Sequence, residues 1–153
     1  MPTPAKLVAA LLFAALAWFT AEVIVRTVLE EGVRVGRFRE ILAFGALIVG
    51  WRYIGREATG PTGRGTTMTR SVTAGIAGAA ILLVLAVLLH SFGVMIMNSL
   101  DRKYTAVGTA ASAWMDFLWK DILTIADPLV LGVFFVGAAV VGLIAGITGR
   151  VTR

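Results

Sequence analysis

Long apolar runs constrain the fold of this chain more than any other feature. They predict membrane-spanning helices at about 7–28, 38–54, 72–97 and 128–149. A helix needs about 20 mostly apolar residues to cross roughly 30 Å of hydrocarbon. The second run is the weakest because only Ile41–Trp51 is uninterrupted apolar sequence. A re-entrant or interfacial helix is the alternative for that run, and a loop over Gly55–Ser71 is expected to follow it.

Composition supports a single transmembrane domain over residues 1–153. The chain is 58% hydrophobic, whereas a soluble domain is about 45–50% apolar. The net charge is +5, but the basic residues lie in short segments between apolar runs, as in membrane proteins generally. A nucleic-acid partner is therefore not expected. The chain has no cysteine, which excludes thiol chemistry, disulfides and iron–sulfur clusters.

The segment at about 106–125 predicts a helix of a different kind. Trp114, Leu118 and Ile122 follow helical spacing, and Asp116 and Lys120 form a favourable i,i+4 pair. This pattern indicates an amphipathic helix lying at the membrane interface or across the bundle as a cap. The predicted fold class is therefore all-α, an integral membrane four-helix bundle with one additional amphipathic helix.

Small residues recur at four-residue spacing in the predicted spans, and such pairs let helices approach closely. The candidate packing residues are Ala10, Ala14, Ala46, Gly50, Gly75, Ala79, Ala138, Gly142 and Gly146. These stripes exceed what a minimal bundle needs. We therefore expect some of them to contact partner helices, either of a second copy or of a larger membrane complex, with the lipid bilayer around them.

Glu22 and His90 are the candidate intramembrane polar residues, because an ionisable group inside a span is a functional candidate by default. Glu22 lies four residues before Arg26, which favours an ion pair, although a proton or cation site of a small transporter is the alternative. His90 has no second ligand nearby, and a metal site needs three or four. We expect a neutral histidine hydrogen-bonded within the bundle, and no metal, cofactor or catalytic group.

Aromatic and basic residues near the span ends are candidate interface anchors. They are Trp51, Arg52, Arg102, Tyr104, Trp114 and Trp119. Basic residues divide equally between the two sides of a four-span topology, while the acids fall mostly on the side opposite the termini. The sequence therefore predicts that both termini lie in the cytoplasm.

The N-terminal sequence MPTPAKLVAALLFAALAWFTAE resembles the start of the TrgA family of bacterial membrane proteins, which is associated with tellurite resistance. Further similarities follow in order: Gly36-x-Phe38, Gly45 leading to Gly50-Trp51-Arg52-x-x-Gly55, Gly63-x-Gly65, Met97 and Arg102-x-Tyr104. The region after Thr105 is similar mainly in pattern, and a Tyr-Asp-Gly-Pro-like step expected there reads Thr105-Ala106-Val107. The resemblance implies a small inner-membrane protein linked to oxyanion tolerance and implies no catalytic residues.

The combined expectation is a non-enzymatic integral membrane protein that acts as an accessory, assembly or structural subunit. It would pack against partner helices in a homo-oligomer or a larger complex. The alternative is a small dimeric transporter that uses Glu22 as its coupling carboxylate.

Overall fold

The computed structural model of the chain describes residues 3–27, 37–60, 66–104 and 106–151. Within these ranges the chain forms helices and turns, and no strand. The helices are α1 (Pro4–Thr27), α2 (Phe38–Val49), a π-helical turn (Gly50–Ile54), α3 (Gly55–Thr59), α4 (Met68–Leu100), α5 (Val107–Ile125) and α6 (Pro128–Val151). The prediction of an all-α fold is confirmed.

Three helices, α1, α4 and α6, are long and apolar enough to cross a membrane. They confirm three of the four predicted spans and indicate a membrane-embedded protein. α6 begins where the sequence places it, because Asp127 Oδ1 accepts hydrogen bonds from the backbone N–H of Leu129 at 2.8 Å and of Val130 at 3.2 Å. With 33 residues, α4 is about 50 Å long, some 20 Å more than the hydrocarbon layer requires.

The second predicted span differs from expectation at its C-terminal end. α2 has 12 residues, a length of about 18 Å, but the backbone stays helical through the π turn into α3. The sequence-predicted loop over 55–71 is wrong at both ends, since α3 occupies 55–59 and α4 begins at Met68. The result is one unbroken helical segment from Phe38 to Thr59, which we call the α2–α3 segment.

Two glycines explain the π turn. The N–H of Gly55 bonds to the carbonyl of Gly50, and this i→i+5 closure turns residues five apart toward one neighbour. That neighbour is α1: a Cβ at Gly50 would lie 2.8 Å from Ala9 O, and one at Gly55 would lie 2.6 Å from Lys6 Cα. Only glycine permits this approach of the two backbones.

The core lies where α1, the α2–α3 segment, α4 and α6 meet. Phe13 of α1 stacks on Phe134 of α6, with ring centroids 6.0 Å apart. Ile54 is fully buried and fills the space left by Gly78, where an added Cβ would lie 2.7 Å from its side chain. Large and small side chains are thus matched across the helix contacts, as close packing requires.

α5 begins at Val107, one residue after the predicted start, and packs on the C-terminal half of α4. The Trp114 indole N–H donates to Ser91 Oγ at 3.0 Å, and its ring meets the edge of Phe92 at 5.7 Å. None of the α5 residues is buried. α5 is therefore held by one face and leaves the other face uncovered by this chain.

Candidate functional site

A cavity of about 260 Å³ lies among α1, α2, α4, α5 and α6. Its walls are mainly apolar, with Leu42 from α2, Leu83 and Val87 from α4, and Val130 and Phe134 from α6. It sits at the end of the bundle where α1 and α4 finish and α2 and α6 begin. We call it the inter-helix cavity.

One histidine–aspartate pair gives the inter-helix cavity a polar end. His90 Nδ1 lies 2.8 Å from Asp121 Oδ2, and both residues line the cavity. The Phe38 ring approaches His90 edge-on, with centroids 6.1 Å apart. The pair joins α4 to α5, so the same contact that holds α5 also defines the chemistry of the cavity.

Two threonines also line the cavity, but their hydroxyls are engaged within their own helices. Thr20 Oγ1 donates to Leu16 O at 2.9 Å, and Thr124 Oγ1 donates to Lys120 O at 2.9 Å. Each hydroxyl is hydrogen-bonded to a backbone carbonyl of its own helix, as threonines in membrane helices are. The His90–Asp121 pair is therefore the main polar group that the cavity offers to a ligand.

His90 is hydrogen-bonded to another helix of the same chain, as the sequence led us to expect, but the partner was not anticipated. Asp121 lies 31 residues away, on a helix that the sequence placed at the interface or across the bundle. The His90 side chain is also half exposed. No group of three or more residues suited to a metal ion occurs in the ranges that the structure describes.

Glu22 belongs to a separate ion-pair cluster between α1 and α2. Its carboxylate lies 2.6 Å from Arg26 Nε, the i,i+4 pair that the sequence favours, and 2.9 Å from Arg39 Nη2. Arg39 was missed because it is distant in sequence. Two guanidinium groups thus hold the carboxylate and tie the C-terminal end of α1 to the N-terminal end of α2.

A second set of polar contacts closes the opposite end of the bundle. Arg70 Nη2 lies 2.8 Å from Glu57 Oε2, joining α4 to α3. Arg150 donates to the carbonyl of Thr66 from Nε at 2.8 Å and from Nη2 at 2.6 Å. These contacts join helix ends, and Glu57 and Arg70 also line a shallow, open pocket with Tyr53 and Thr69.

The small residues singled out in the sequence pack helices within this chain. Eight of the nine are buried, namely Ala10, Ala46, Gly50, Gly75, Ala79, Ala138, Gly142 and Gly146, while Ala14 is half-buried. A Cβ at Gly75 would collide with the Ala138 carbonyl, and one at Gly142 or Gly146 would collide with Ser71. These eight residues pack α1, α2, the π turn, α4 and α6 against one another, and the expectation that some small residues contact a partner helix stays a prediction.

The six candidate anchors fall into different environments. Arg52 and Trp119 are exposed, and Trp51 and Tyr104 are half-buried. The Trp114 N–H is engaged by Ser91 instead of facing headgroups. Arg102 has φ 56° and ends α4 in the left-handed conformation, with its N–H and that of Lys103 bonded to the carbonyls of Ser99 and Asn98.

Comparison with known proteins adds no assignment. No protein-family model, curated protein or solved structure matches this chain. The resemblance to the TrgA family accordingly stays a prediction from the sequence.

Proposed function

We propose that this protein is a small, non-enzymatic, multi-pass membrane protein that acts as an accessory or assembly subunit of a bacterial inner-membrane complex. The uncovered face of α5 carries the proposal. This outer face consists of Met115, Trp119, Ile122 and Leu123, with exposed fractions of 60%, 61%, 40% and 58%. Contiguous apolar surface of this kind marks a site of protein or membrane contact.

The position of α5 makes a protein partner the better occupant. α5 lies against the C-terminal half of α4, the helix whose length exceeds the hydrocarbon layer by about 20 Å. Trp114 and Asp121 fix α5 to that half of α4, so its apolar outer face is carried in a fixed orientation near the membrane boundary. An aromatic anchor at the centre of such a face is typical of subunit interfaces.

The charged side chains support a structural role over a catalytic one. Glu22, Glu57 and Asp121 each bind a basic partner on another helix. Each of these contacts closes a junction between helices. The same cluster weighs against Glu22 as a coupling carboxylate, because a proton or cation would have to displace two guanidinium groups.

Photocrosslinking in intact membranes tests the partner. A benzophenone amino acid replaces Trp119 or Leu123 on the outer face of α5, and the matched control replaces the exposed Val136 of α6. We expect protein adducts of discrete mass at 119 and 123 and lipid adducts at 136, with the captured protein's complex losing assembly when this chain is deleted. Lipid adducts alone at 119 and 123 would contradict the proposal.

The proposed topology has four crossings, with the α2–α3 segment as the fourth and both termini in the cytoplasm. Since the chain has no cysteine, single-cysteine reporters can be added without removing native thiols. R37C and T66C flank the α2–α3 segment and should react with an impermeant maleimide from opposite sides of the membrane. Reaction from one side only would replace the fourth crossing by an interfacial helix.

Increased tellurite sensitivity of a deletion strain is the expected phenotype that the TrgA resemblance implies.

A further inference from the structure

The inter-helix cavity is a partly open pocket whose volume can be compared with those of known ligand sites. Protein interiors contain few voids larger than a water molecule. At about 260 Å³, this one exceeds the roughly 150 Å³ of an engineered apolar cavity that binds benzene. It lies just below the approximately 300–1,000 Å³ of pockets for drug-sized ligands. A ring or a single aliphatic chain fits this volume, and a two-chain phospholipid does not.

The His90–Asp121 pair sets which head group such a ligand needs. An ionised carboxylate only accepts hydrogen bonds, so Nδ1 of His90 carries the shared proton. In the neutral imidazole, Nε2 is then an acceptor, and so is the second carboxylate oxygen of Asp121. Neither atom makes a hydrogen bond among the described residues. In the protonated imidazole, Nε2 donates instead, while the second Asp121 oxygen still accepts. The polar end of the cavity therefore selects a group that donates to Asp121 and can either donate to or accept from Nε2, and a hydroxyl does both.

Charge narrows the ligand class further. Among the lining residues, Asp121 is the one acid and His90 the one base. The Asp121 carboxylate repels a carboxylate or phosphate head group. A hydroxyl donates without bringing a charge, whereas an ammonium must lose its hydration to reach Asp121.

We propose that the inter-helix cavity binds a neutral, hydroxyl-bearing amphiphile whose apolar body is one ring or one chain. Its hydroxyl donates to the acceptors of the His90–Asp121 pair, and its apolar body contacts Leu83, Val87 and Phe134. This binding activity goes beyond the proposed subunit role and does not depend on it, since the outer face of α5 takes no part in the cavity.

The test uses photoreactive probes on the full chain in lipid nanodiscs. Four diazirine-bearing chains of equal length end in an alcohol, a methyl ketone, a carboxylic acid or a primary amine. We expect the alcohol to label cavity-lining peptides about fivefold more strongly than the others, the size of effect that one net hydrogen bond produces. H90L removes one of the two polar groups and should reduce the preference for the alcohol over the ketone, while Asp121 still accepts.

A matched pair of variants on α4 locates the site. Ala86 lines the cavity, whereas Val84 is 54% exposed on the outside of the same helix. A86F should reduce labelling by the alcohol about tenfold because it fills the cavity, and V84F should leave labelling unchanged. Size-exclusion profiles and helical circular dichroism confirm that each variant is folded. If H90L fails to fold, the A86F and V84F pair still decides whether the cavity is the site.

Three results would overturn the proposal. Equal labelling by all four probes would mean that the cavity does not select a hydroxyl. Stronger labelling by the ketone, acid or amine would assign a different head group. Equal losses in A86F and V84F would show that the labelling reflects general contact with lipid-phase probe.

Discussion

The contact between α4 and α6 makes a sharp prediction for one glycine. A Cβ at Gly142 would collide with the Ser71 carbonyl oxygen and would lie 3.0 Å from the Gly75 nitrogen and 3.1 Å from the Gly75 Cα. All three atoms are backbone atoms of α4, so no side-chain rotation relieves the collision. G142A therefore requires α4 and α6 to move apart.

The magnitude follows from two opposing effects. Alanine is favoured over glycine in a helix interior by about 1 kcal/mol. Overpacking costs about 1–3 kcal/mol, and more where the backbone must shift. We expect G142A to lower the free energy of unfolding by about 1–2 kcal/mol. G132A on the same helix meets nothing within 4 Å and should be neutral or stabilising by up to about 1 kcal/mol.

The assay is unfolding of the purified full chain in mixed micelles, followed by circular dichroism during an SDS titration. The two variants should differ by about 1–3 kcal/mol, which is the sum of the two opposing shifts. G75A and G93A repeat the comparison on α4, since Gly75 faces Ala138 and Gly93 faces open space. If G142A is at least as stable as G132A, then direct backbone contact does not hold α4 against α6.

Three further sets of variants probe single contacts. R102G should raise the free energy of unfolding by about 0.5–1 kcal/mol in the same titration, because the residue has φ 56° and glycine adopts this conformation without strain. An unchanged or lower free energy of unfolding contradicts a left-handed helix end. W114F and S91A should each cost about 1 kcal/mol and the double variant no more than the larger single loss, since one hydrogen bond at 3.0 Å joins them; additive losses would show independent roles. E22Q should lower the thermal stability in detergent more than E40Q, a change at an exposed acid on α2, because Glu22 joins α1 to Arg39. Loss of ion flux in liposomes with stability unchanged would instead support the transporter alternative.

Local pattern was sufficient for the helices that cross the membrane. Apolar runs of this length cannot leave their backbone groups unsatisfied in lipid, so they must be helical whatever they contact. The start of α6 was equally local: Asp127 and Pro128 predict it because a capping side chain and a fixed φ act within one turn. The i,i+4 pair of Glu22 and Arg26 belongs to the same category, since helical geometry alone places the two side chains together.

Contacts between helices could not be predicted from local sequence in this way. The spacing of Gly75, Ala138 and Gly142 indicated close approach, but it could not say whether the neighbour was this chain or another, because a small-residue stripe fits any helix. Gly50 and Gly55 lie five residues apart, and residues at that spacing lie on different faces of an α-helix. They face α1 together only because the chain adopts a π turn there.

The sequence by itself determined that this protein is helical, membrane-embedded and free of thiol chemistry, because length, hydropathy and composition act without reference to any neighbour. The tertiary structure decided which polar groups meet. Asp121 reaches His90, and Arg39 reaches Glu22, through the folding of α5 onto α4 and of α2 onto α1. Those placements depend on the sum of many side-chain contacts across helices, and they turn a lone histidine in an apolar helix into the polar end of a cavity.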